Sequence, residues 1–388
     1  MVCVKIPGIM IPEPSFTIGI EEEYLLVDKE TRDLANQRTE KVLAACQERL
    51  GDQVGPEFLK SQIEIGTRVC SSVAEVRTDL ARLRHNIIEI SDTHGLAPIA
   101  ASTHPFATWQ EQHHTERERY VALAQDLQGV GRRLVICGMH IHVGIEDDAL
   151  RIDILNQARY FLPHLLALST SSPFWQGQNS GLKSYRLSVF DGLPRTGMPQ
   201  FFSSFGEYRR TVNTLINADI IEDATKIWWD LRPSARFPTL EMRITDVCPL
   251  LDDAIAVAAT YICICRMLYR LRRNNQRWRT YPVFLLNENR WRAQRYGMEK
   301  GLIDFGKGEI IAFDKLLGEL FELIEEDIDY FDCQKEVHHC LEIFQRGTSA
   351  DRQLEAYHAF LEAENDHNSA LMQIVDQLIG ETRVGTEI

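Results

Sequence analysis

The 388-residue chain carries 42 basic and 56 acidic side chains, a formal net charge of −14 at pH 7. That balance excludes a general nucleic-acid or anionic-membrane binder, which needs basic residues to neutralise phosphates. A content of 44% hydrophobic and 25% charged residues is that of a globular protein, and the length suffices for one large domain with ample core.

The opening stretch MVCVKIPGIMIPEPS lacks a cleavable signal pattern, because its apolar run is broken by Pro7, Gly8 and Pro12. Nine cysteines without a Cys-x-x-Cys pair indicate neither a disulfide framework nor a zinc ribbon, and the expectation is a reduced, cytoplasmic protein. Residues 16–27, FTIGIEEEYLLV, read as a strand whose period of two sets Gly19, Glu21 and Glu23 on one face and Ile18, Ile20 and Tyr24 on the other, with Glu22 on the apolar side. Two carboxylates about 7 Å apart by the strand rise repel unless a cation sits between them. A hard divalent metal is the natural partner.

Thr39 to Leu50 reads as an amphipathic helix with Thr39 as cap and Gly51 as stop. In EFLKSQIEIGTR, residues 57–68, Gln62, Glu64, Gly66 and Arg68 alternate with Ile63, Ile65 and Thr67. Glu57 has the wrong parity for that polar face, so it reaches the same site only from a loop or bulge. A long helix over 73–94 ends at Gly95, a short strand spans 97–101, and the loop STHPFATW carries His104, read chiefly as polar surface. Residues 115–128 read as a charged helix. In RRLVICGMHIHVGI, residues 132–145, His140 and His142 share a face between Gly138 and Gly144, a spacing suited to metal or phosphate, with the glycines admitting a ligand close to the backbone.

Residues 149–171 read as helix broken at Pro163. Residues 172–205, rich in Gly, Pro and Ser and bearing Lys183, Arg186 and Arg195, read as a lid or binding loop. The fourth strand, 239–246, aligns Glu241, Arg243 and Thr245 on one face, with Arg232 and Arg236 just upstream; arginine suits carboxylate and phosphate recognition. From 252 to 380 the chain is mainly helical, in segments 252–274, 284–298, 315–331 and 350–379. The apolar run 254–265 reads as a buried helix holding inert Cys263 and Cys265, and Glu319 to Asp332 as a solvated acidic face. No standard nucleotide-binding loop occurs.

Together the strands predict an α+β fold: an antiparallel sheet forming an open active-site basin, with helices packed behind it. Sheet and motifs lie within 15–250 of a single catalytic domain spanning the chain. Acids for metal and arginines for anions suit phosphoryl chemistry. A zinc hydrolase built on His140, His142 and a carboxylate is the alternative.

GIEEEY, QIEIGT, GMHIHVG, SYRLSVFDGLPRTG and LRPSARFPTLEMRITD, in this order, resemble the YbdK-type carboxylate-amine ligases, the glutamate-cysteine ligase type 2 family. The resemblance implies a glutamine-synthetase-like fold using ATP and Mg2+, with Mn2+ as a substitute, to join an amino-acid carboxylate to an amine through an acyl phosphate. It also implies a homodimer. Carried over by motif, Glu23, Glu57 and Glu64 hold one ion, and Glu21, His140 and Glu241 another. His142 and Arg236 meet ATP phosphates, Arg232 serves phosphate or substrate, and Arg243 the transferred phosphoryl group. Arg186 and Arg195 hold substrate carboxylate or close over the site.

Overall fold

The computed structural model describes residues 12–115 and 127–387; most of the helix expected over 115–128 lies outside them. Seven strands form one antiparallel sheet: β1 (Ile18–Asp28), β2 (Val54–Pro56), β3 (Gln62–Gly66), β4 (Leu96–Ile99), β5 (Met139–Gly144), β6 (Leu231–Pro233) and β7 (Thr239–Met242). Their order is β6-β7-β5-β1-β3-β2, and β4 pairs with the last residues of β1. This is the expected α+β class, and β1 is central to it. Along β1 the residues Ile18, Ile20, Glu22 and Tyr24 are buried while Gly19, Glu21 and Glu23 are partly open, so the alternation of the sequence is the alternation of the sheet.

The apolar face is covered by the helices Val73–Thr93 and Leu251–Arg273. The second is long and apolar enough to cross a membrane, but 83% of its most apolar stretch is buried inside the protein, as befits a core helix. Cys263 and Cys265 pack there as fully buried thiols. Glu22 carries its charge into this core, and what satisfies it is Arg84 from the long helix. Arg84 Nε donates to Glu22 Oε2 (2.9 Å) and Nη2 to Oε1 (2.6 Å), with further bonds to the carbonyls of Pro249 (2.6 Å) and Cys248 (2.8 Å). Tyr24 donates its hydroxyl to the same carboxylate. Both ions are fully buried, so the pair ties β1, the helix and the 248–249 turn together.

Several expectations are corrected. Thr39 does not cap its helix: Arg38 is the cap residue, in a left-handed conformation (φ 70°), and Thr39 is already inside the first turn. The region 172–205 is more regular than its composition suggests: it contains the helix Tyr185–Phe190, the strand pair Phe174–Trp175 with Gln178–Asn179, and Thr196–Gly197, which pairs with Trp228–Trp229. The C-terminal pattern includes the separate helix Gln334–Arg346, and 350–379 is two helices, Ser349–Glu364 and His367–Arg383, parted at left-handed Asn365 (φ 50°). Within the acidic face, Asp327 is buried and paired to Arg266 and Arg270 (2.7 Å each).

Candidate active site

Directly opposed residues in antiparallel strands point to the same face, and the register uses this repeatedly. Glu21 lies opposite His140, Gly19 opposite His142, Glu23 opposite Glu64, and Glu241 opposite both His142 and Arg232. The sheet thereby gathers its polar residues into three overlapping donor groups, each with ligand atoms within 4.8 Å of one another: Glu23, Glu57 and Glu64; Glu21, Glu64 and His140; Glu21, His142 and Glu241. Glu57 arrives from the loop after β2, which resolves its parity. The first group matches the set carried over from the resemblance. The second ion's expected set does not form one group: His142, not His140, stands with Glu21 and Glu241, because β7 is registered against His142.

The electrostatics reflect this crowding. Burial, reinforced by the charges of Glu57, Glu21 and Glu23, pushes the Glu64 carboxyl well above the usual range. Burial also pushes Glu21 up, but hydrogen bonds and charges from His140 and His142 outweigh it and hold the group well below. Glu241 is held low against its burial by Arg243 and Arg232. Arg232 grips it with two bonds (Nε–Oε2 2.8 Å, Nη2–Oε1 2.9 Å) and Arg243 with one (2.5 Å). Burial, then Arg243, lowers the His140 pKa, so the ring favours its neutral, metal-binding form. The Nε2 atoms of His140 and His142 are buried and complete no well-aligned hydrogen bond; they stand 3.9 Å from Glu23 Oε1 and 3.5 Å from Glu21 Oε1 respectively.

These side chains line one cavity of about 280 Å3 together with Arg186, Arg232, Arg236 and Arg243. Arg236 is exposed at the β6–β7 turn. Arg186 is buried and donates to the Arg243 carbonyl from both terminal nitrogens (3.2 Å each). A Cβ on Gly138 would lie 2.3 Å from Arg186 Nη2, and one on Gly144 2.4 Å from Thr17 Oγ1. The glycines beside the histidines thus make room for protein side chains, not for a ligand. Arg195 is not brought to the cluster: it lines a neighbouring depression, donates to the Lys226 carbonyl (2.8 Å) and lies 5.4 Å from the Trp228 ring. Lys183 turns away to Glu299 (2.8 Å) and Asp351 (2.5 Å). His104 is buried, receives the amides of Phe106 and Ala107 at Nδ1, bonds the Arg32 carbonyl at Nε2 (2.8 Å), and its pKa falls to about 4 through burial. It is a structural residue. Missed from sequence were Lys226, Thr225 and Trp228, which reach the cavity from the segment before β6; the basic Lys226 in KIWWDLRP was the available signal.

The model of Glutamate-cysteine ligase family 2 matches residues 17–375, nearly the whole chain. The chain belongs to that family. It is 58% identical over 374 residues to a Rhodospirillum rubrum protein named "Putative glutamate--cysteine ligase 2" (95% of this chain, 96% of the relative), and 43% identical over 377 residues to a like-named protein of Herpetosiphon aurantiacus (97% and 96%). Among solved structures, a glutamate–cysteine ligase of Francisella tularensis in complex with AMP aligns with a TM-score of 0.67 at 14% identity, covering 96% of this chain and 90% of that one. A bifunctional glutathione synthetase of Pasteurella multocida aligns with a TM-score of 0.65 at 15% identity, covering 95% of this chain and 52% of that one. At such identities the structures establish a shared fold, and the family membership establishes a ligase of the glutamate–cysteine type.

Proposed function

We propose that this family member is an ATP-dependent carboxylate–amine ligase that forms an amide through an acyl phosphate, with glutamate and cysteine or near analogues as substrates. The observation that carries the reading is the set of adjoining donor groups. Five carboxylates and two histidines converge in one cavity, with buried imidazole Nε2 atoms that complete no hydrogen bond and a carboxyl driven up by burial and by its neighbours, an arrangement that divalent cations relieve. Glu23, Glu57 and Glu64 would hold one Mg2+ or Mn2+. Glu21 with His142 and Glu241, or with Glu64 and His140, would hold a second. Bound there, the ions would neutralise phosphate charge.

The arginines do the rest. Arg243, fixed by Glu241 and by its backbone contact with Arg186, faces the phosphoryl group in flight and offsets its charge. Arg232, pinned by the same carboxylate, and exposed Arg236 bind the phosphates near His142. A substrate carboxylate oxygen attacks the γ-phosphorus, the bond to ADP breaks, and the acyl phosphate then yields to the amine with release of phosphate and a proton. No covalent enzyme intermediate is required. The zinc-hydrolase reading is disfavoured because no donor group among the described residues contains both histidines. The test is nucleotide turnover: with Mg2+, purified protein releases ADP and phosphate only when both an amino-acid carboxylate and an amine are supplied. ADP release indifferent to the amine across a broad substrate panel contradicts the proposal.

A further inference from the structure

The cavity has two chemically different ends. β5 runs along its floor, with the His142 ring 6.2 Å from Phe237 of the β6–β7 turn, His140 midway, and Gly138 beneath Arg186 at the opposite end. Past that opposite end the lining gains an apolar side, Leu134, Ile136, Phe190, Leu193 and Trp228, with Thr225 and Lys226 next to Trp228 at its polar margin. Ile136, Phe190 and Leu193 are an apolar cluster distinct from the main core, with half-buried Leu134 and Trp228 packed on it. Three distant chain segments build this wall, and hydrogen bonds to backbone carbonyls hold one of them in place. Trp228 N donates to the Arg195 carbonyl (2.9 Å), and Arg232 Nη1 reaches from the site to the Ile227 carbonyl (2.6 Å).

Phosphates and cations gain nothing from an apolar wall, whereas an apolar group placed against it is removed from water. We propose that this wall receives a branched-aliphatic or aromatic side group carried by one of the two substrates, so that among analogues of glutamate and cysteine the enzyme binds most tightly the acid or amine with the larger apolar side group. The inference rests on the ligase reading only in taking an acid and an amine as the ligands.

Calorimetric titration of the full-length protein with Mg2+ and a nonhydrolysable ATP analogue tests it in two arms. Glycine, leucine and phenylalanine amides probe the amine site, and the matching N-acetyl amino acids probe the acid site. In one arm the leucine or phenylalanine compound binds at least ~10-fold more tightly than its glycine counterpart, and Leu193→Ala or the half-buried Leu134→Asp brings the ratio to within about twofold. Equal binding across side groups in both arms overturns the proposal, even if amine-dependent ADP release stands. A side-group preference without any ADP release upholds the wall and removes the ligase reading.

Discussion

Glu64→Gln and Glu241→Gln each lower amine-dependent ADP release by about 10³-fold or more at saturating ATP, the scale of losing a group that stabilises transition-state charge. The two substitutions differ in what they do to the fold. Glu64 lies among Glu57, Glu21 and Glu23, and burial with their charges raises its pKa well above the ordinary value. A raised carboxyl pKa means that the ionised form is disfavoured in the folded state, so stability is fullest below the unfolded pKa and falls as pH rises through the folded pKa. In metal-free protein at pH 7 the glutamine variant is therefore as thermally stable as the parent or more so, while its turnover is gone. Glu241→Gln weakens the bonds to Arg232 and Arg243 and costs about 1–3 kcal/mol. Circular dichroism melts with chelator, run beside the ADP assay, separate the two effects. Retained turnover in both variants contradicts the assignment.

Arg84→Met is the most destabilising single change expected outside the cavity, at about 3–5 kcal/mol, because it leaves the Glu22 carboxylate buried without its partner. Glu22 and Arg84 are both fully buried and make two direct bonds, and the only other side chain bonded to Glu22 among the described residues is Tyr24. Pairing the change with Glu22→Leu restores most of the lost stability, since an apolar pair of similar volume carries no desolvation cost. Guanidinium denaturation of the two single variants and the double variant measures this. A double variant as unstable as the sum of the singles would show that the pair contributes through packing rather than charge.

Local features of the site were legible and distant ones were not. The parity of Glu21 and Glu23 on β1 is a property of any strand, and it survived into the sheet unchanged. The misfit parity of Glu57 correctly pointed to a loop. The alternation alone does not separate His140 from His142, since both satisfy it; the β5–β7 register does, setting His142 rather than His140 opposite Glu241. Arg186, Arg195 and Lys183 looked alike as bases in one loop, yet the first lines the cavity, the second a neighbouring one, and the third pairs with Glu299 and Asp351. Charge type carries no direction; packing between remote segments supplies it. The same reason hid Arg84 as the partner of Glu22, 62 residues away.

The central claim, that these strands converge to hold divalent cations for phosphoryl transfer, is tested most directly by anomalous diffraction from crystals grown with Mn2+ and a nonhydrolysable ATP analogue. The account predicts manganese peaks within coordination distance of Glu23, Glu57 and Glu64 and of Glu21 with His142 and Glu241, bridged to the nucleotide phosphates. No manganese in the cavity, or a zinc retained between His140 and His142 without nucleotide, would contradict it.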